Sequence, residues 1–208
     1  MRDTSTTAQR AAPARVPRSW WAVLVLSLLV AAYGASYAVR GEAAFVGELA
    51  ASFRARPWGI ISHAAFGTLA LLAGPIQFRG DLRARHRRVH RAVGRVYVVA
   101  ALGTGLTGLF MAAFSFGGPI THLGFGTLAV LVLATTGMAF ARIRAGDVAA
   151  HRAWMTRSFA LIFAGVTLRI ELPLLIAAYE GAFAPAYQVV AWLSWVPNLA
   201  WAEWWVRR

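Results

Sequence analysis

Several stretches of this sequence are about 20 residues long, strongly apolar and poor in charge. A helix of that length crosses the hydrocarbon core of a bilayer, which is about 30 Å thick. A membrane β-barrel would need shorter segments of alternating polarity, a pattern that this sequence does not show. We therefore predict an all-α integral membrane protein with six transmembrane helices, at residues 20–39, 58–78, 93–116, 120–141, 158–179 and 185–205.

The composition agrees with this prediction and narrows the chemistry. Of the 208 residues, 59% are hydrophobic, which exceeds the usual share in a soluble domain. The net charge is +13, but the basic residues, all of them arginine, lie between the apolar runs, which argues against a nucleic-acid surface. The chain has no cysteine. Disulfides and thiolate ligands are therefore excluded, and any cofactor must be held by other side chains or the backbone.

The arginines also predict how the chain is oriented in the membrane. With the N-terminus inside, 17 arginines fall in the inner segments and three in the outer ones. Positive residues favour the cytoplasmic side, so both termini are predicted to be cytoplasmic. Residues 1–19 are rich in Arg, Thr, Ala and Pro and are predicted to form a disordered basic tail. Residues 20–208 are predicted to form a single transmembrane domain.

An internal repeat divides this domain. The eight residues that begin at His63 recur at His122 with six identities, at an offset of 59. A weaker echo repeats His90-Arg91-Ala92 from His151, at an offset of 61. The near-equal offsets predict a duplicated helical hairpin. The second to fifth helices would then form a four-helix core, and the repeat units are about residues 58–116 and 120–179.

The repeat places its four histidines at two depths. Because helix direction alternates, His63 and His122 are predicted near the outer ends of the second and fourth helices, and His90 and His151 near the inner ends of the third and fifth. Equivalent helices face each other diagonally across a four-helix bundle. Haem iron takes one axial ligand on each face of the ring, and histidine is a common one. All four histidines are therefore candidate iron ligands, in two pairs.

Small residues accompany three of these histidines. Gly67, Gly94 and Gly126 each follow a histidine by four residues and so share its helix face. They are predicted to leave room for a flat ring beside the ligand. The fourth histidine breaks the pattern, because Met155 stands at that spacing after His151. Glycines at such spacing also serve plain helix packing in membranes.

Two families resemble this chain. Over about residues 58–175 the local sequence is similar to a bacterial membrane-protein family, domain of unknown function 2306. The architecture of six helices with four paired histidines resembles the cytochrome b561 family, which carries electrons across a membrane through two b haems. The first resemblance is carried by His63-Ala64-Ala65-Phe66-Gly67, Gly74-Pro75-Ile76-Gln77-Phe78, His90-Arg91-Ala92-Val93-Gly94-Arg95-Val96-Tyr97 and His151-Arg152-Ala153-Trp154-Met155.

The cytochrome resemblance implies an outer haem b on His63 and His122 and an inner haem b on His90 and His151. It implies a membrane oxidoreductase of the bacterial inner membrane, with lipid around it and with a donor and an acceptor that the sequence does not identify. A homodimer is compatible with this assignment. Two other functions stay open: a small-molecule transporter, and a structural or regulatory membrane protein without a cofactor.

Charged residues near the predicted haems have candidate roles as well. Arg95 and Arg169 are candidates to bind haem propionates, since arginine binds carboxylates with two parallel hydrogen bonds. Arg169 is also a candidate to hold an anionic electron donor. Arg169 lies within a predicted span. Alternatively, its long side chain extends along the helix and places the guanidinium at the outer membrane–water interface. Glu171 is only two residues further along, so the two side chains are expected to point to different faces of the helix.

Overall fold

The computed structural model describes residues 17–208. The predicted tail, residues 1–19, lies outside this range except for residues 17–19. The first helix begins at Arg18, two residues earlier than predicted. All regular secondary structure of the described range is helical, which confirms the all-α prediction. Two short 3-10 helices, Gly41–Ala44 and Gly47–Leu49, follow the first helix. The α-helices are α1 Arg18–Arg40, α2 Ala50–Arg54, α3 Pro57–Gln77, α4 Gly80–Arg85, α5 Arg87–Ala112, α6 Pro119–Arg144, α7 Val148–Ile162, α8 Ala164–Ala178, α9 Phe183–Leu193 and α10 Val196–Val206.

Five helical segments within residues 17–208 are long and apolar enough to cross a bilayer. They follow the first five predicted spans, and they make the chain a multi-pass membrane protein. The last of them joins α7 and α8, which meet at Phe163. The five segments are Arg18–Ala44, Pro57–Gln77, Arg87–Ala112, Pro119–Arg144 and Val148–Ala178.

The predicted sixth span is not one helix. It consists of α9 and α10, which are separated at Ser194 and Trp195. Pro197 lies in the first turn of α10, where its missing N–H leaves no helical hydrogen bond unmade. Each helix has 11 residues, which corresponds to about 16 Å and is too short to cross a bilayer alone.

Two of the membrane helices begin earlier than the hydropathy pattern predicts. α5 begins at Arg87 rather than at residue 93, and α7 begins at Val148 rather than at residue 158. Arginine is a good helix former, so the helices continue through the basic segments. Asp147 caps α7, since its side chain accepts a hydrogen bond from the backbone N–H of Ala150 at 2.9 Å. The predicted basic loops are therefore largely helical, and the histidines within them have fixed directions.

The helices pack in a ring. α3 packs against α5, α5 against α6 and α6 against α7, and α7 returns to contact α3. α1 lies on the outside of α3, α9 lies against α6 and α8, and α10 lies against α7. Short connections make successive helices antiparallel, so α5 and α7 run in the same direction. We call the end where α5 and α7 begin the basic end, since residues 79–91 and 142–152 cluster there.

Polarity is distributed as lipid solvation requires. Large apolar side chains such as Leu29, Leu106 and Leu123 are exposed on the outer surface, while small hydroxyl residues such as Thr136 and Ser158 are fully buried. Membrane helices gain little from burying apolar surface against one another, because lipid is equally apolar. Close approach through small residues and interhelical hydrogen bonds therefore holds these helices together.

Candidate functional site

A buried hydrogen bond aligns the two histidines at the basic end. The hydroxyl oxygens of Tyr97 in α5 and Ser158 in α7 lie 2.8 Å apart. His90 precedes Tyr97 by seven residues and His151 precedes Ser158 by seven, which is about two helical turns in each case. Because α5 and α7 are parallel, His90 and His151 lie at the same depth. They are also close enough to interact electrostatically, so the structure brings this predicted pair together.

The ring nitrogens of this pair are arranged differently. His151 Nδ1 lies 2.8 Å from the backbone carbonyl oxygen of Ala139 in α6. Donation to that carbonyl fixes the tautomer and leaves the Nε2 lone pair for another partner. His90 Nδ1 is buried and has no hydrogen-bond partner among the described residues. An unpaired buried polar atom is uncommon in a folded protein and calls for a functional or structural cause.

A second unpaired polar atom lies beside this pair. Gln77, at the end of α3, is buried, and its Nε2 has no partner within residues 17–208. Its Oε1 lies only 3.1 Å from the position that a Cβ would take at Gly94, four residues after His90. The predicted open space at Gly94 is therefore filled, and the glycine instead admits the Gln77 amide.

His63 lies in the other half of the bundle and faces α5. Its Nδ1 is 3.2 Å from the carbonyl oxygen of Thr104 and 3.3 Å from the Thr107 hydroxyl. Gly67, one turn further along α3, has no atom within 4 Å of the position of a Cβ. The next residues on that helix face, Ala70 and Gly74, are buried, so Gly67 faces the interior of the protein. The predicted space beside His63 is present.

His122 does not share the depth of His63. A Cβ at Gly108 would lie 3.1 Å from the His63 ring and 3.8 Å from Ala129 Cβ, so His63 is level with Ala129. His122 precedes Ala129 by seven residues and therefore lies about 10 Å further from the basic end. Its Nε2 is 2.9 Å from the Ser115 carbonyl oxygen. The structure does not bring the predicted outer pair together.

The connection between α1 and α3 explains the different depths. It lies across the outer end of α5, where Ser52 Oγ donates a hydrogen bond to the Phe114 carbonyl oxygen at 3.0 Å and the Arg56 guanidinium lies 3.6 Å from the centre of the Phe114 ring. α3 therefore begins beneath this layer. No feature of the repeated sequence indicates the layer, because it lies outside the repeat.

Two other predicted site residues lie on the outer surface. Leu123 and Val130, which share a helix face with Gly126, are exposed. The space beside Gly126 is therefore outside the bundle rather than between its helices. Arg95 is exposed on α5, on the same face as the exposed Val99. That face of α5 is turned away from the face that carries His90.

Arg169 in α8 keeps exposed surface and contacts α1. Its Nη1 donates a hydrogen bond to the Gly165 carbonyl oxygen at 2.8 Å, and its guanidinium carbon lies 4.9 Å from the centre of the Tyr33 ring. Tyr37 and Tyr187 are close enough to interact electrostatically with it. His63 is also within electrostatic range. None of the ion pairs of residues 17–208 joins Glu171 to Arg169.

The tyrosine and hydroxyl residues of the core were not predicted as part of a site. The spacing contains a signal for one of them, because Tyr97 and Ser158 are separated by 61 residues, as are His90 and His151. Beyond His-Arg-Ala, however, the two segments share no identity up to Tyr97 and Ser158. The tyrosines around Arg169 come from α1 and α9, outside the repeat, and no sequence pattern links them to it.

Comparison with known proteins gives a family but no activity. The family model for domain of unknown function 2306, described as a predicted membrane protein, matches residues 60–206. A search of curated proteins found no match. A search of solved structures also found none.

Proposed function

This chain belongs to the DUF2306 family of predicted membrane proteins, and we propose that it is a haem-binding electron-transfer protein. The haem b is held between His90 and His151, near the basic end of the bundle. In its full form the proposal adds a second haem b on His63 and His122, so that electrons cross the bilayer as in the cytochrome b561 family. The inner site is the part with the stronger structural support.

One observation carries the proposal. The hydrogen bond between Tyr97 and Ser158 sets the register of α5 against α7, and this register puts His90 and His151 at one depth. A bis-histidine haem needs two imidazoles that approach one iron from opposite sides. Two histidines on diagonal helices of a bundle, held level by a buried contact, meet the first requirement of such a site.

The nitrogen chemistry of the pair suits an iron ligand. Histidine ligands usually donate the second ring N–H to a backbone carbonyl or a carboxylate, which orients the ring and makes it a stronger donor to the metal. The Ala139 carbonyl oxygen takes this role for His151. The buried Nδ1 of His90 has no hydrogen-bond partner among the described residues. The buried Gln77 amide of α3 lies against Gly94, one helical turn after His90. When bound, haem would supply one-electron chemistry at its iron.

The outer pair fits less well. His63 and His122 differ by about 10 Å in depth, and the Ser115 carbonyl oxygen already engages His122 Nε2. A second haem on these residues requires His122 to leave that carbonyl and α6 to move along α3. The haem count of the purified protein therefore separates the two forms of the proposal.

The repeat and the charge distribution complete the proposal. The duplicated hairpin, residues 58–116 and 120–179, forms the four-helix core, and α9 with α10 makes a broken sixth span. The basic end faces the cytoplasm of a bacterial cell, since arginine is retained on that side. The haem of His90 and His151 would then exchange electrons with a cytoplasmic partner. The outer half of the protein would exchange electrons with a donor or acceptor on the other side of the membrane.

The test is an absorption spectrum of the protein purified in mild detergent from haem-sufficient cells. We expect a low-spin b-type spectrum that sharpens on reduction with dithionite. The variants His90→Ala and His151→Ala should each lose the inner haem, while His86→Ala, which removes an exposed histidine of the same basic segment, should keep it. A colourless wild-type protein, or unchanged haem content in both variants, would refute the proposal.

His122→Ala decides between the one-haem and two-haem forms. A fall from about two haems per chain to one supports the outer pair. An unchanged value of one haem confines the cofactor to His90 and His151. Size-exclusion elution at the wild-type volume serves as the control for folding in every variant.

A further inference from the structure

A cleft of about 300 Å³ lies at the basic end, where α1 begins and α3 ends. Trp20, Ile76 and Leu82 give it apolar walls, and two arginines, a histidine and an aspartate give it polar ones. Trp20 is in the first turn of α1 and Ile76 is in the last turn of α3. Both helices belong to membrane-crossing segments. The cleft therefore lies at the level where lipid tails meet lipid headgroups.

Contacts between three segments hold the walls of this cleft. The Trp20 indole N–H donates a hydrogen bond to the Pro75 carbonyl oxygen of α3 at 2.9 Å. The Arg79 guanidinium carbon lies 4.9 Å from the centre of the Trp20 ring. The same guanidinium donates hydrogen bonds to the Asp81 carboxylate at the beginning of α4. The fold therefore fixes α1, the end of α3 and the beginning of α4 around the cleft.

The cleft carries a surplus of positive charge. Asp81 is paired with Arg79, whereas none of the ion pairs of residues 17–208 includes Arg85. Arg79 engages the carboxylate through Nε and Nη2, so its other N–H groups remain for a ligand. Arg85 is exposed and presents a full set of guanidinium donors. A ligand that matches this cleft has acceptor oxygens and a negative charge.

The surroundings of the cleft favour a lipid as the source of that charge. Residues 79–91 hold six arginines and one aspartate, and they follow closely on the membrane helix α3. Clusters of about four to eight basic residues beside a membrane helix attract anionic lipids. A small soluble anion has no group that matches the apolar walls. A phospholipid offers both a phosphate and, next to it, an apolar chain.

We propose that this cleft binds the phosphate of an anionic phospholipid in the leaflet at the basic end. Arg85 binds the phosphate, and the remaining N–H groups of Arg79 assist it. Trp20 packs against the apolar part of the same lipid, at the level of the bilayer where tryptophan is enriched. The site requires no haem, so it stands or falls separately from the proposed function.

The experiment measures thermal unfolding of the full chain in detergent with three probes: phosphatidylglycerol, phosphatidylcholine and inorganic phosphate. Phosphatidylglycerol at about one hundred times its Kd should raise the Tm of the wild-type protein by about 5–10 °C. The other two probes should raise it less at the same concentration. Arg85→Gln should weaken binding of phosphatidylglycerol at least about tenfold. The matched control is Arg142→Gln, which removes the same charge from an exposed position outside the cleft.

The two variants separate a defined site from general attraction to a basic surface. A response to phosphatidylglycerol that is lost in Arg85→Gln and kept in Arg142→Gln supports the site. An equal loss in both variants overturns it, as does the absence of a response in the wild-type protein. An equal response to inorganic phosphate overturns the assignment to a lipid. Because Arg85 is exposed, its substitution should leave the fold intact, and elution at the wild-type volume checks this.

Discussion

The Tyr97 hydroxyl in α5 lies 2.8 Å from the Ser158 hydroxyl in α7, deep in the core of the bundle. Thr136 in α6 contacts the same Ser158 oxygen at 2.7 Å, so three helices meet at one buried group. Neither bond is required by the helices themselves. Together they fix how far α7 is displaced along α5, and this register decides that His90 and His151 are level.

Removal of the Tyr97 hydroxyl should loosen that register. We expect Tyr97→Phe to lower the free energy of unfolding by about 1 kcal/mol, since interhelical hydrogen bonds in membranes contribute about that amount. Thermal unfolding in detergent measures the change. Tyr179→Phe removes a hydroxyl from an exposed tyrosine and should have no effect. If both variants unfold at the wild-type temperature, the buried contact does not hold the two helices in register.

Two glycines of α3 should respond in opposite ways to an added methyl group. A Cβ at Gly74 would lie 2.2 Å from the Phe159 ring, while a Cβ at Gly67 would meet nothing within 4 Å. Gly74→Ala should therefore destabilise the protein by about 1–3 kcal/mol through overpacking. Gly67→Ala should be neutral or stabilising by up to about 1 kcal/mol, because alanine favours the helix. Unfolding curves of the two variants provide the comparison, and a loss of stability in Gly67→Ala would show that its space is not open.

An ion pair should fasten the C-terminal helix. Arg157 in α7 donates two hydrogen bonds to the Glu203 carboxylate in α10, at 2.5 and 3.0 Å. Glu203→Gln should lower the free energy of unfolding by about 1 kcal/mol, a modest value because both side chains retain solvent contact. Glu180→Gln, at an exposed position, is the control. A double-mutant cycle with Arg157→Gln measures the coupling, and additive effects of the two substitutions would argue against the pair.

The Arg79–Asp81 contact beyond the end of α3 should make stability depend on pH. The Arg79 guanidinium hydrogen-bonds the Asp81 carboxylate and lowers the pKa of that carboxyl well below its ordinary value. A lowered pKa means that the stabilising contribution is complete above the ordinary aspartate pKa of about 3.9. It is lost as the pH falls through the lower pKa of the folded state.

Asp81→Asn provides the test of that pH dependence. The variant should have a lower Tm than the wild-type protein at neutral pH, and the difference should shrink as the pH falls below about 4. Arg79→Gln should return the Asp81 pKa to the ordinary range in an NMR titration. A Tm difference that is the same at every pH would mean that charge plays no part in it.

Much of the architecture follows from the sequence because hydropathy is a local property. A run such as residues 58–78 must be helical in lipid, where every backbone polar group needs a partner within its own segment. The helix that contains it, Pro57–Gln77, agrees with that prediction almost to the residue. Helix ends within arginine-rich segments were predicted less well. Hydropathy falls where the charges begin, but helix propensity does not, so α7 continues back to its cap at Asp147.

The sequence by itself determined that the chain is a bundle of membrane helices and that His90 and His151 recur at a fixed spacing, because period, hydropathy and repeats are written along one chain. The depth of one histidine relative to another is set by contacts between helices that are far apart in sequence. Only the tertiary structure could decide it. Ser158 meets Tyr97 and thereby levels one histidine pair. The connection over the outer end of α5 places α3 deeper and separates His63 from His122. Tertiary packing also sets Arg169 against the Tyr33 ring of α1, a contact that no spacing in the sequence foretells.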